Sequence, residues 1–189
     1  MGSTRDSTPP TPGIATGSPS LDRHACEIGV IAIISDTHMP KGNRRLPAAC
    51  IERLAAADLI LHAGDLSTAA TLAELELIGP PVLAIHGNVD DAELRRRLPA
   101  ERTVGFGGAT IAIVHDSGPS RGRLARMRRR FPAADAVVFG HSHIPLHERE
   151  DGFEIFNPGS PTERRRAPTH TMGVVRIEHG QLAFELVGV

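Results

Sequence analysis

The sequence has no Trp, no Tyr and only six Phe. The interior must therefore be filled mainly by Ala, Val, Ile and Leu, which suits buried sheets covered by helices. Two cysteines, Cys26 and Cys50, lie far apart in the chain. That spacing gives no metal knuckle, no redox pair and no disulfide framework, so both read as buried thiols. No segment approaches the apolar length that spans a bilayer, and the start of the chain is polar, without an apolar signal core. The expectation is a cytoplasmic protein with no membrane partner. A net charge of −1 supplies no field of one sign, and stacking aromatics are missing, so nucleic acid is not an expected partner.

What the 189 residues do hold is enough for one domain with a filled core. Residues 1–25 are dominated by Gly, Ser, Thr and Pro and bury too little to offset their ordering entropy, so they read as a disordered tail; residues 26–189 read as the folded domain. Order begins with the apolar run Ile28 to Ile34, of strand length. A helix follows at about Pro47 to Ala56, a strand at Leu59 to Leu61, and a helix at Thr68 to Ile78, stopped by Gly79-Pro80-Pro81. A third strand covers Val82 to Ile85. This alternation predicts βαβ units and a largely parallel sheet. Beyond Arg102 the texture becomes hairpin-like, with Thr103 to Phe106 and Thr110 to Val114 joined at Gly107-Gly108. A basic helix at Ser120 to Phe131 and a strand at Ala136 to Phe139 come next. Further strands, Pro145 to Glu150, Phe153 to Phe156, Gly173 to Ile177 and Leu182 to Val187, complete an α/β chain that turns antiparallel towards its end.

Five segments share one grammar, an apolar strand running into a tight loop that carries Asp, Asn or His, mostly beside glycine. They are Asp36-Thr37-His38, Gly64-Asp65, Gly87-Asn88-Val89-Asp90, His115-Asp116 and Gly140-His141-Ser142-His143. Loops at the carboxyl ends of strands in an open α/β sheet can converge on one ligand. Imidazole nitrogen with carboxylate and carboxamide oxygen suits Mn, Fe, Zn, Co or Mg better than copper or iron–sulfur clusters. Asp36 and His38 are two residues apart, as are His141 and His143, so in extended segments each pair leaves on one side. Gly64, Gly87 and Gly140 allow sharp backbone turns close to a metal.

In this order, Asp-x-His, Gly-Asp, Gly-Asn-x-Asp, His and Gly-His-x-His resemble the calcineurin-like metallophosphoesterase superfamily. Within it the chain looks like the small single-domain bacterial and archaeal phosphodiesterases, a likeness strengthened by Asn157-Pro158-Gly159-Ser160 and running from about Ile28 to Val189. The resemblance implies a four-layer fold, a sandwich of two mixed β-sheets flanked by helices. It also implies one metal on Asp36, His38 and His143, a second on Asn88, His115 and His141, and Asp65 bridging them. Asp65, Asn88, His141 and His143 would then stand closest to the reacting phosphate. Two divalent ions, Mn foremost with Fe, Zn, Co, Ni or Mg as alternatives, would activate a bridging water or hydroxide for attack on a small phosphodiester or nucleotide-like substrate.

Two positions depart from that pattern. Val89 stands where larger members often carry a histidine able to protonate the leaving group. Asp116 follows His115 where Gly is usual; it could touch a ligand's outer side, hold an imidazole tautomer, or face solvent. His62 reads as packed near a strand end, His86 is evenly balanced between packing and pocket, and His24, His147, His170 and His179 read as surface positions. Arg164-Arg165-Arg166 reads as a solvated run from which one side chain could reach substrate phosphate. Three other functions compete with this reading: a phosphomonoesterase on the same site, an interaction scaffold of the kind a eukaryotic retromer subunit makes from this fold, and a serine hydrolase. The last lacks a Gly-x-Ser-x-Gly elbow. A homo-oligomer through an edge strand or the terminal hairpin stays open.

Overall fold

β1, Ile28–Ile34, alternates its side chains as a strand buried on both faces must. Ile31 and Ile33 point to one side, Ala32 and Ile34 to the other, and all four are fully buried. The computed structural model describes residues 28–189; the tail expected at residues 1–25, and Cys26, lie outside the described residues. After β1 come α1 (Ala48–Ala55), β2 (Leu59–His62), α2 (Ala69–Glu76), β3 (Val82–Ala84), α3 (Ala92–Arg97), β4 (Glu101–Phe106) and β5 (Ala109–Val114). The remainder is α4 (Arg123–Arg130), β6 (Ala136–Val138), β7 (Leu146–Glu150), β8 (Phe153–Asn157), β9 (Thr171–Glu178) and β10 (Gln181–Gly188).

Two five-stranded mixed sheets result, in the orders β10-β9-β1-β2-β3 and β4-β5-β6-β8-β7. β1, β2 and β3 run parallel, as their βαβ connections require. β9 pairs antiparallel with β1, so the terminal hairpin completes the first sheet although it follows the whole of the second in sequence. In the second sheet β5, β6 and β8 are parallel, with antiparallel β4 and β7 at its edges. The turns at Gly107-Gly108 and Asp151-Gly152 have positive φ at both positions, the backbone that a two-residue hairpin turn demands.

The inner faces of the sheets meet in one core, with Ile31, Ile33 and Leu61 from the first sheet against Ile111, Ile113, Val138 and Phe156 from the second. Cys50 and Leu54 of α1, Leu72 and Leu75 of α2, and Leu94 of α3 cover the outer face of the first sheet. Met127 of α4 packs with Ala112, Val137 and Ile155 on the outer face of the second. The architecture is the expected sandwich flanked by helices. Cys50 is a free, buried thiol that burial pushes up to about 12, which leaves it inert at neutral pH. No helix among the described residues is long and apolar enough to cross a membrane.

Candidate metal centre

The carboxyl ends of β1, β2 and β3 in one sheet and of β5 and β6 in the other release their chains at the same rim of the sandwich. Backbone bonds stitch the emerging loops together: Asp36 N donates to Gly64 O (3.0 Å), His38 N to Asp65 O (3.0 Å), and Gly140 N to His115 O (3.0 Å). Asp36, His38, Asp65, His141 and His143 all have positive φ, between 45 and 67°. A left-handed backbone is uncommon for residues with a Cβ and costs on the order of 1–3 kcal/mol each. The i, i+2 spacing therefore does not act through extended segments, as the sequence suggests. Left-handed turns aim these side chains, and they send His141 and His143 to different neighbours.

One group joins Asp36, His38 and His143; a second joins Asp65, His115 and His141. In the first, His143 Nε2 lies 3.1 Å from His38 Nε2 and 3.3 Å from Asp36 Oδ1. His143 Nδ1 is 2.7 Å from Glu163 O. A carbonyl can only accept, so the proton sits on Nδ1 and the Nε2 lone pair faces the carboxylate. The second group repeats the device. His115 Nδ1–H donates to Ala63 O at 2.7 Å, which leaves Nε2 facing Asp65 Oδ2 (3.2 Å) and Asn88 Oδ1 (3.1 Å). His141 Nδ1 meets the same Asn88 oxygen at 2.9 Å.

Asp65 stands between the groups. Its Oδ1 accepts from Val89 N (3.0 Å), while Oδ2 is 3.2 Å from His115 Nε2 and 3.7 Å from His38 Nε2. Lone pairs and carboxylate oxygens this close repel one another unless cations or protons lie among them. The donor set, imidazole nitrogen with carboxylate and carboxamide oxygen, fits divalent metals of the Mn, Fe, Co, Ni and Zn type. The titration tendencies agree. Burial pulls His143 down to about 4 and lowers His38, keeping both rings neutral and able to ligate. Burial pushes Asp36 up to about 7 against the pull of His115 and Ser35. Asp65 is also pushed up by burial, but its hydrogen bond with His115, that ring's charge and Val89 N–H outweigh this and hold it at about 2. Burial pulls His115 down, but Asp65 and Asp36 outweigh it and raise the group.

Of the three motif glycines only Gly64 has a positive φ, 94°. Gly87 and Gly140 are needed for room instead. A Cβ on Gly87 would collide with Asp65 Oδ1, and one on Gly140 with Ser35 Oγ, at 2.7 Å from Asp36 Oδ2. Asp90, present in the motif but not expected to ligate, accepts backbone N–H bonds from Gly87 (2.6 Å), Ser67 (2.6 Å) and Asp65 (3.2 Å), bracing two ligand loops at once. Asn157-Pro158-Gly159-Ser160 underpins the first group: Ser160 Oγ donates to Asp36 O (2.8 Å), and Asn157 Nδ2 to Gly140 O (2.9 Å).

The undecided residues also find places. Asp116 is exposed and accepts from Gly118 N (2.7 Å), closing its own turn, while Ala63 holds the His115 tautomer. His62 is packed as expected, with Nε2 3.1 Å from Thr37 Oγ1, and burial lowers it to about 3. His86 Nδ1 lies 3.3 Å from Gly87 O, outside both groups. His147 is not a plain surface position, since its ring packs on Phe156 and Phe184 and its Nε2 lies 2.6 Å from buried Glu154. Arg164 binds Ala167 O, whereas Arg165 reaches His141 O at 3.4 Å and lines a cleft beside His38 with Lys41, Ser67, Val89 and Glu163. Glu163 is a cleft residue that the sequence did not single out, as are Lys41 and Ser67. Its carboxylate lies 3.2 Å from Arg44 and 3.9 Å from His38 Nε2, and no motif marked it.

A family model described as the calcineurin-like phosphoesterase superfamily domain matches residues 30–180. A Methanothermobacter thermautotrophicus protein named "Probable metallophosphoesterase" is 32% identical over 160 residues, covering 84% of this chain and 91% of that protein. Among solved structures, vacuolar protein sorting 29 from Cryptosporidium parvum matches with a TM-score of 0.71 at 20% identity, covering 86% of this chain and 99% of that one. A structure described as a novel archaeal phosphodiesterase matches with a TM-score of 0.64 at 22% identity, covering 84% and 99%. At these identities the two structures speak to the fold alone.

Proposed function

The chain belongs to the calcineurin-like phosphoesterase superfamily, and from that premise we propose that it is a phosphodiesterase working through two divalent metal ions held by Asp36, His38 and His143 on one side and Asn88, His115 and His141 on the other. The observation that carries this reading is the position of Asp65, whose Oδ2 is shared between the two groups while its Oδ1 is tied back by Val89 N–H. When bound, such ions supply a water of lowered pKa and positive charge at the phosphoryl oxygens. Mn is the first candidate, with Fe, Zn, Co, Ni and Mg as alternatives.

The chain's own groups do the positioning. Glu163 O and Ala63 O fix the tautomers of His143 and His115, so that lone pairs rather than N–H groups face inward. Asn88, His141 and His143 stand with Asp65 nearest the phosphate. Val89 offers no proton to the leaving group, and its exposed side chain lines the cleft instead. This favours esters whose leaving group departs without strong protonation. The cleft wall carries Lys41 and Arg165 beside Glu163, whose carboxylate is paired with Arg44 at 3.2 Å, so the wall offers positive charge to a phosphate anion. A small or nucleotide-like diester fits that setting.

The test is hydrolysis of an activated phosphodiester and its monoester by metal-free protein supplemented with Mn, Ni, Co, Mg or Zn. Metal-dependent turnover with preference for the diester is expected, reduced by on the order of a hundredfold or more in Asp65→Asn. Preference for the monoester would overturn the diesterase reading and leave a phosphomonoesterase on the same site. Folded protein that turns over neither ester with any metal would favour the interaction scaffold.

A further inference from the structure

Asn88 is a ligand candidate that burial does not hold in place. It is exposed, neutral, and sits on the loop after β3, yet its Oδ1 has to stand within 3.1 Å of His115 Nε2 and 2.9 Å of His141 Nδ1. The backbone must fix what the side chain cannot. Asp90 fixes part of it by accepting from Gly87 N. The other part comes from α3, an element with no assigned role in the site. Arg95 Nη2 donates to Asn88 O at 2.6 Å, and its Nε donates to Asp90 O at 2.9 Å. One planar guanidinium thus spans the two carbonyls that flank Val89, a geometry a single ammonium cannot reproduce.

Arg95 is itself anchored. Leu94 beside it is fully buried in the outer core, and the Asp91 side chain caps α3 by accepting from Leu94 N (2.8 Å). Asp91 N also donates to Ser67 O (3.1 Å), tying the start of α3 to the Asp65 loop. Arg97, two residues further on, behaves differently, pairing with Glu93 on the same helix at 3.6 Å. The first group is held by other means, Ser160 and Glu163 against Asp36 and His143, with no bond to Arg95.

We propose that Arg95 is a positioning residue for the second metal site, acting through the Asn88 and Asp90 carbonyls. The inference rests on the two-metal reading above and predicts an asymmetry that the reading alone does not. In Arg95→Ala, affinity for the ion at Asn88, His115 and His141 falls by roughly ten- to a hundredfold, the range for loss of an outer contact on a ligand. The site at Asp36, His38 and His143 keeps its affinity.

Metal-free wild-type protein, Arg95→Ala and Arg95→Lys are titrated with Mn²⁺ by calorimetry and with Co²⁺ by visible absorption, and the metal-free thermal midpoint of each is recorded. Two ions in the wild type, one selectively weakened step in Arg95→Ala and partial recovery in Arg95→Lys support the proposal. Two ions bound by Arg95→Ala as tightly as by wild type, or more tightly, overturn it and leave the two-metal reading intact. Both steps weakened equally, with a lowered metal-free midpoint, also overturn it, because the role is then general to the fold. Fewer than two ions in the wild type overturn the underlying reading and the proposal together.

Discussion

At the scale of residues, the site is built from side chains whose backbone is strained and whose protons are fixed from behind. The residue types and their order were legible in the sequence, because Asp, Asn and His beside glycine after apolar strands is a pattern carried by residue order alone. The carbonyls of Ala63 and Glu163, which decide where the His115 and His143 lone pairs point, were not legible, since every residue carries a carbonyl. The reason for two of the glycines was also hidden. Gly87 looks in sequence like a residue chosen for its backbone angles, but what it lacks is a Cβ that would meet the Asp65 carboxylate and its backbone N at 2.5 Å. Gly87→Ala should therefore displace Asp65, destabilise the chain by about 1–3 kcal/mol as overpacking does, and weaken metal binding. Urea denaturation with a metal titration checks both, and a variant with wild-type values for both would contradict this account of Gly87.

At the scale of elements, strands and hairpins followed from composition more faithfully than short helices did. β1 was expected at Ile28 to Ile34 and occupies those residues, because a seven-residue apolar run is buried on both faces. α3 was missed: in its six residues only Ala92 and Leu94 are apolar and three consecutive arginines follow, so it has no helical stripe, and Asp91 and the burial of Leu94 define it. The pairing of β9 with β1 was also hidden, since sheet membership depends on contacts distant in sequence. The inner core is held by the alternation itself. Ile33→Ala, at a fully buried position facing the second sheet, should cost about 2–5 kcal/mol. Ile51→Ala on the exposed side of α1 should stay within about 0.5 kcal/mol of wild type. Chemical denaturation of the two variants side by side reads the difference, and equal losses would contradict the assignment of the core to the sheet interface.

At the scale of the whole molecule, the sandwich brings together halves of a site that neither sheet holds alone. Asp36, His38, Asp65 and Asn88 extend from the first sheet, and His115, His141 and His143 from the second, so each group draws ligands from both. On the proposed two-metal reading, this shared rim turns over substrate only when both groups are filled. The most direct test is the rate of hydrolysis of an activated phosphodiester as Mn²⁺ is added stepwise to metal-free protein. Little turnover is expected over the first equivalent and a steep rise over the second, reaching a plateau at two ions per chain. A full rate at one equivalent, or a rate indifferent to metal, would contradict it.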